Sequence, residues 1–120
     1  MAEAGKDTTA GARAETLAAT YLERQGLAVL ARNFRVRGGE IDLVCRDGAC
    51  TVFVEVRLRR HSAYGGAGAS ITAAKRQRLI LAARHWLAQH GNRPCRFDCI
   101  LLDRLDAEAI EWLRDAFQVD

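Results

Sequence analysis

The sequence predicts an α/β domain, with a central mixed β-sheet of four or five strands in the order α-β-β-β-α-β and helices packed on it. Three observations predict it. Residues 38–60 read as a β-hairpin, with Asp47-Gly48 at its tip and alternating residue types along both arms. Stripes of apolar residues at helical spacing lie on either side, over residues 9–25 and 72–89. Arg96 to Leu102 (RFDCILL) has the length and composition of a buried strand.

Length and composition bound the rest. A chain of 120 residues makes one domain, burying roughly two thirds of its unfolded surface. An apolar fraction of 49% with 28% charged residues is that of a folded globular protein. No apolar run approaches the length of a membrane span. The first residues carry Glu3, Lys6 and Asp7 with no apolar core, so they are not a signal peptide, and the expected location is the cytoplasm. The net charge is +3, from sixteen Arg and two Lys against the acids. Arginine suits bidentate contact with phosphate, but a GC-rich genome also enriches arginine, so position carries more weight than number.

Residues 1–8 read as a flexible leader, and 9–120 as the domain. Thr8 or Thr9 caps a first helix running to about Gln25, with Gly26 closing it. Leu17, Ala18, Tyr21 and Leu22 form its apolar stripe, with Glu15 at the border, where a carboxylate is ordinarily solvated. Leu27 to Phe34 follows as a short strand, then Arg35 to Gly39 as a basic, glycine-bearing link.

In the hairpin, Ile41, Leu43 and Cys45 alternate with Glu40, Asp42 and Val44. The returning arm sets Val52, Val54, Val56 and Leu58 against Phe53, Glu55, Arg57 and Arg59. Pairing symmetrical about Asp47-Gly48 puts Asp42 opposite Phe53, Glu40 opposite Glu55 and Cys45 opposite Cys50. Glu40, Asp42, Glu55 and Arg57 then share one side. Clustered carboxylates repel unless a cation or proton lies between them, and Mg²⁺ prefers such oxygen ligands. The plain alternative is a wet, charged edge neutralised by Arg57.

Beyond the hairpin, residues 63–68 are a loop by composition. His61 reads as solvated, and Tyr64 as either a loop-packing residue or a base-stacking one. Ser70 or Thr72 opens a second helix to about Gln89, with Leu79, Ile80, Ala83, Trp86 and Leu87 as its core face. Lys75, Arg76 and Arg78 crowd its N-terminal end, which already carries partial positive charge. A bound phosphate would resolve that mismatch; solvation is the plain alternative. Periodicity does not decide between strand and helix for residues 103–120. Cys45, Cys50, Cys95 and Cys99 lack zinc-ribbon spacing. A Cys45–Cys50 disulfide fits the expected register, but reduced thiols are favoured in a cytosolic protein.

The segments GGEIDLV and VFVEVRLR resemble those of the YraN-like family of bacterial proteins. That family resembles the restriction-endonuclease-like superfamily, which includes archaeal Holliday junction resolvases and carries a PD-(D/E)XK motif. Residues 11–26, Arg32-Asn33-Phe34, Ala73-Ala74-Lys75-Arg76 and Arg96-Phe97-Asp98 also fall in the family's order. The resemblance implies a restriction-endonuclease-like αβββαβ core, with a last strand around Ala109 to Leu113. It implies Mg²⁺ or Mn²⁺ held by Asp42, Glu55 and the Val56 carbonyl, with Glu15 contributing from the first helix and Glu40 reaching a second position. The family's lysine, two residues beyond the glutamate, is Arg57 here. Arginine holds and stabilises phosphate charge but does not take up a proton. Lys75 is the candidate substitute for the missing amine. The expected catalytic set is therefore Glu15, Asp42, Glu55, Arg57 and Lys75. The expected DNA contacts are Arg35, Arg37, Arg59, Arg60, Tyr64, Lys75, Arg76 and Arg78.

Three functions follow. One is a metal-dependent DNA endonuclease, with branched or flapped DNA as the expected substrate. The second is a nucleic-acid-binding module of the same fold, with cleavage weakened or lost at Arg57. The third is an interaction domain whose acidic face binds a protein. Resolvases act as dimers, so a homodimer is one implied arrangement, although no coiled-coil pattern announces it.

Overall fold

The computed structural model describes residues 9–59 and 71–119. Helix α1 (Ala10–Arg24) starts where Thr9 Oγ1 accepts from the Ala12 amide at 3.1 Å, satisfying one of the free donors of the first turn. Gly26 ends it with φ of 97°, a conformation glycine takes readily. Helix α2 (Ala73–His90) is capped in the same way, Thr72 Oγ1 accepting from the Lys75 amide at 3.1 Å.

Five strands form one mixed sheet: β1 (Ala28–Val36), β2 (Gly39–Asp47), β3 (Cys50–Leu58), β4 (Cys95–Leu102) and β5 (Ile110–Phe117). They lie side by side in chain order. All neighbours are antiparallel except β3 and β4, which run parallel and are joined through α2. The αβββαβ core is therefore present, with β5 added at one edge. Residues 107–109 form a short 3₁₀ turn before it.

Each helix covers one face of the sheet. Ala14, Ala18, Ala19 and Leu22 of α1 pack with Leu43, Cys45, Val52, Val54, Ile100 and Leu102. Leu79, Ala82, Ala83 and Trp86 of α2 pack with Val44, Phe53, Phe97, Cys99 and Leu101 on the opposite face. The closest approach is at Gly39, where an added Cβ would run into the Arg78 carbonyl oxygen and lie 3.1 Å from the Ala82 amide nitrogen. Only a missing side chain lets α2 sit this close.

Several sequence expectations are corrected. β1 continues through Val36, so Arg35 is a strand residue paired with Glu40, and the link shrinks to Arg37-Gly38. The β2–β3 turn is centred on Gly48-Ala49, because Asp47 pairs with Cys50. Cys45 therefore faces Val52 rather than Cys50, and all four cysteines are free thiols. Moving a turn centre by one residue moves the register by two, so Val44 still shares a face with Phe53, as expected. Ile41 departs from the expected face. It packs on the α2 side with Val44, so alternation skips beside Asp42, across from Asn33 with its positive φ of 54°. The leader, Arg60, His61, Tyr64, residues 63–68 and Ser70 lie outside the described residues.

Candidate functional site

The β2–β3 ladder runs from Asp47↔Cys50 to Leu43↔Val54. At the next residue Asp42 Oδ2 accepts from the Val56 amide at 2.8 Å, so a side chain takes the place of a strand carbonyl. Within a strand the N–H and C=O of one residue leave on the same side, so the Val56 carbonyl also opens towards Asp42.

Glu55 stands beside this bond with its side chain only 4% exposed. Burial, together with the Glu55 charge and a hydrogen bond to Glu55, pushes the Asp42 carboxyl up to about 8; the Val56 amide opposes the shift. Asp42 therefore favours its protonated form near neutral pH.

α2 supplies the cation. Capping by Thr72 places Lys75 in its first turn, and Lys75 Nζ lies 2.7 Å from Glu55 Oε2. The contact is an ion pair without hydrogen-bond geometry, leaving Glu55 Oε2 buried without a hydrogen bond among the described residues. Such an oxygen accepts a better-placed cation. Two carboxylates and a carbonyl are hard donors that fit one Mg²⁺ or Mn²⁺, with waters completing the shell. No group of three His, Cys, Asp or Glu side chains converges to hold a metal among the described residues.

Glu15 approaches from α1, close enough for its charge to raise the Asp42 pKa slightly. Its Oε1 accepts from Asn33 Nδ2 at 3.0 Å, with Arg32 Nη2 3.7 Å away. Asn33 was not among the expected site residues. Asparagine tolerates a positive φ better than most residues, and this bend turns its amide onto Glu15.

The remaining expected residues disperse. Glu40 meets Arg35 at 3.4 Å and Arg78 at 3.5 Å, away from the carboxylate pair. Arg76 donates to the Ile71 carbonyl and lies over the Phe117 ring. Lys75, Arg76 and Arg78 therefore serve three separate partners rather than one cradle. Arg59 pairs with Asp103 at 2.9 Å and Glu111 at 3.6 Å, beside β5. Arg57 lies half-buried on β3, its charge felt by Cys99 across the β3–β4 pair. Arg37 is exposed in the β1–β2 turn.

A second buried carboxylate is structural. Asp98 accepts from Arg96 Nε at 3.0 Å, Trp112 Nε1 at 3.0 Å and the Asp115 amide at 2.9 Å. Arg96 also reaches Asp47 at 3.1 Å, tying β2, β4 and β5 together. A lone aspartate inside the apolar run RFDCILL, with arginine two residues earlier, was the available signal.

The model of the uncharacterised protein family UPF0102 matches residues 14–102. The chain belongs to this family. The UPF0102 match runs from α1 through β4, so it takes in Glu15, Asp42, Glu55 and Lys75 and stops before β5. A UPF0102 protein of Methylobacillus flagellatus is 63% identical over 107 residues, covering 89% of this chain and 95% of that protein. One of Dechloromonas aromatica is 57% identical over 119 residues, covering 98% and 97%. A Pseudomonas aeruginosa relative is 51% identical over 113 residues, covering 89% and 90%. The UPF0102 core has the architecture expected from its resemblance to the PD-(D/E)XK superfamily. No helix among the described residues is long and apolar enough to cross a membrane.

Proposed function

We propose that this chain is a DNA-binding module of restriction-endonuclease-like fold, in which phosphodiester cleavage is weakened or lost. The observation that carries this reading is the Lys75 ammonium 2.7 Å from Glu55 Oε2. It neutralises the oxygen a metal would need, while Arg57 stands where the superfamily's lysine is expected. The protein would then keep the fold and exposed arginines such as Arg13 and Arg37 without an efficient metal centre.

The second reading is a Mg²⁺- or Mn²⁺-dependent endodeoxyribonuclease, favoured by half-buried Asp42 beside buried Glu55. A divalent cation bound there would supply Lewis-acid polarisation of the phosphate and an acidified water. Asp42 and Glu55 would hold it, with the Val56 carbonyl. Lys75 would move off Glu55 to offer its amine to the attacking water, and Glu15 would orient solvent through Asn33.

The test is binding and cleavage of labelled duplex, single-stranded, flap and four-way-junction DNA with Mg²⁺ or Mn²⁺, beside Asp42→Asn and Arg57→Lys. Salt-sensitive binding with little cutting by wild type, and a gain in Arg57→Lys, is the expected result. Efficient wild-type cutting lost in Asp42→Asn would establish the nuclease instead. Absence of DNA binding would sink both.

A further inference from the structure

We infer that the cleft between α1 and the β4–β5 connection receives one nucleotide of an unpaired DNA strand. Arg13 and Arg32 hold its phosphate, and Leu17 and Leu105 take its sugar and base. The inference rests on the DNA-binding reading above and gives that DNA one defined contact.

The cleft has a volume of about 510 Å³ and is lined by Arg13, Thr16, Leu17, Arg32 and Leu105. Its two cations are underused by the protein. The Arg13 side chain is exposed, and its guanidinium makes no ion pair or hydrogen bond among the described residues. Arg32 reaches the Ala12 carbonyl at 3.4 Å and Glu15 at 3.7 Å. Both distances exceed the roughly 2.7–2.9 Å of a good charge-assisted bond, so a phosphate oxygen is the better partner. The nearby carboxylates of the β4–β5 connection are already matched, Asp103 with Arg59 and Asp106 with Arg104.

Leu17 and Leu105 add half-buried apolar surface. A duplex presents phosphates while keeping its bases stacked, and leaves such surface unused. An unpaired nucleotide brings both a phosphate and an unstacked face. The cleft also adjoins the carboxylate site, because Glu15 precedes Thr16 on the same helix and its charge reaches Asp42.

The experiment is fluorescence anisotropy in EDTA, with a labelled single strand and a labelled duplex of equal length. It compares the wild-type chain with Arg13→Ala, the Arg13→Ala/Arg32→Ala pair, Leu105→Ser and, as a control on the other helix, Arg84→Ala. Each lost phosphate contact should lower the single-strand salt slope by about 0.7, so the pair should lower it by about 1.4. Leu105→Ser should weaken single-strand binding without changing the slope. Duplex binding should change little in any of them, and Arg84→Ala should match wild type. Wild-type DNA binding that the cleft variants leave unaltered would overturn the inference while sparing the DNA-binding reading. Equal losses on duplex and single strand would overturn the choice of an unpaired strand. A deoxynucleoside monophosphate that competes as well as the oligonucleotide would replace the strand by a free nucleotide. If wild type binds no DNA, both readings fall together.

Discussion

Replacing Asp42 with asparagine separates the proton from the carboxylate. Burial and Glu55 raise the folded pKa of Asp42 from 3.8 to about 8, so the native state binds a proton that the unfolded state releases across this interval. Its stabilising contribution is complete below the unfolded value, and is lost as pH rises through the folded value. Inside the window each pH unit costs wild type a little over about 1 kcal/mol, so it loses roughly 3 kcal/mol from this group between about pH 5 and pH 7. Asp42→Asn lacks the titration, keeps an oxygen to accept from Val56, and offers an N–H to Glu55. Urea denaturation of both proteins should show the variant gaining on wild type by roughly that amount over those two units. A difference independent of pH would mean that Asp42 is already ionised, and would refute the proton on Asp42.

Adding Mn²⁺ should raise wild-type Tm more at alkaline than at acid pH, because the ion must displace that proton; an equal shift in Asp42→Asn would place the ion elsewhere. Gly39→Ala should destabilise the fold by about 2–3 kcal/mol by pushing α2 from the sheet, and a wild-type Tm would disprove the close seat at Arg78. Asp98→Ala removes the acceptor of Arg96 Nε, Trp112 Nε1 and the Asp115 amide while leaving Arg96 its contact with Asp47, and should cost about 2–3 kcal/mol, with a change in Trp112 fluorescence as the local readout. Cys45 and Cys99, whose thiols burial pushes up to about 12, should resist alkylation in the native protein while exposed Cys95 reacts; mass spectrometry of the labelled chain decides.

The architecture was legible because it depends on patterns that survive small errors. Thr8 or Thr9 and Ser70 or Thr72 announced both helices, with Thr9 and Thr72 the caps, and the faces of β3 withstood a register displaced by two residues. The register itself was not legible. Asp47-Gly48 suggests a turn centred between them, whereas Gly48 takes φ of 60° at the first central position and Ala49 fills the second. The last strand escaped periodicity because Asp115, with φ of 52°, interrupts alternation, and of its residues only Phe117 is fully buried. Within the site, the proximity of Lys75 to Glu55 depended on how α2 docks, which Gly39 permits through an approach no local pattern encodes. The turning of Ile41 and Asn33 likewise arises from coiling between two strands. Glu40 illustrates the opposite error, since its place in GGEIDLV gave no sign that Arg35 and Arg78 would draw it away.

The bond from Val56 to Asp42 makes the carboxylate a rung of the sheet. A side chain holds together two strands at the point where their backbones cease to pair. Whatever chemistry Asp42 performs is therefore performed by a member of the scaffold. An aspartate here would be kept for architecture even in a protein that had stopped cutting, so its presence is no proof of catalysis. Alanine at this position would also confuse a lost reaction with a loosened sheet, whereas asparagine keeps the rung and removes only the ionisable group.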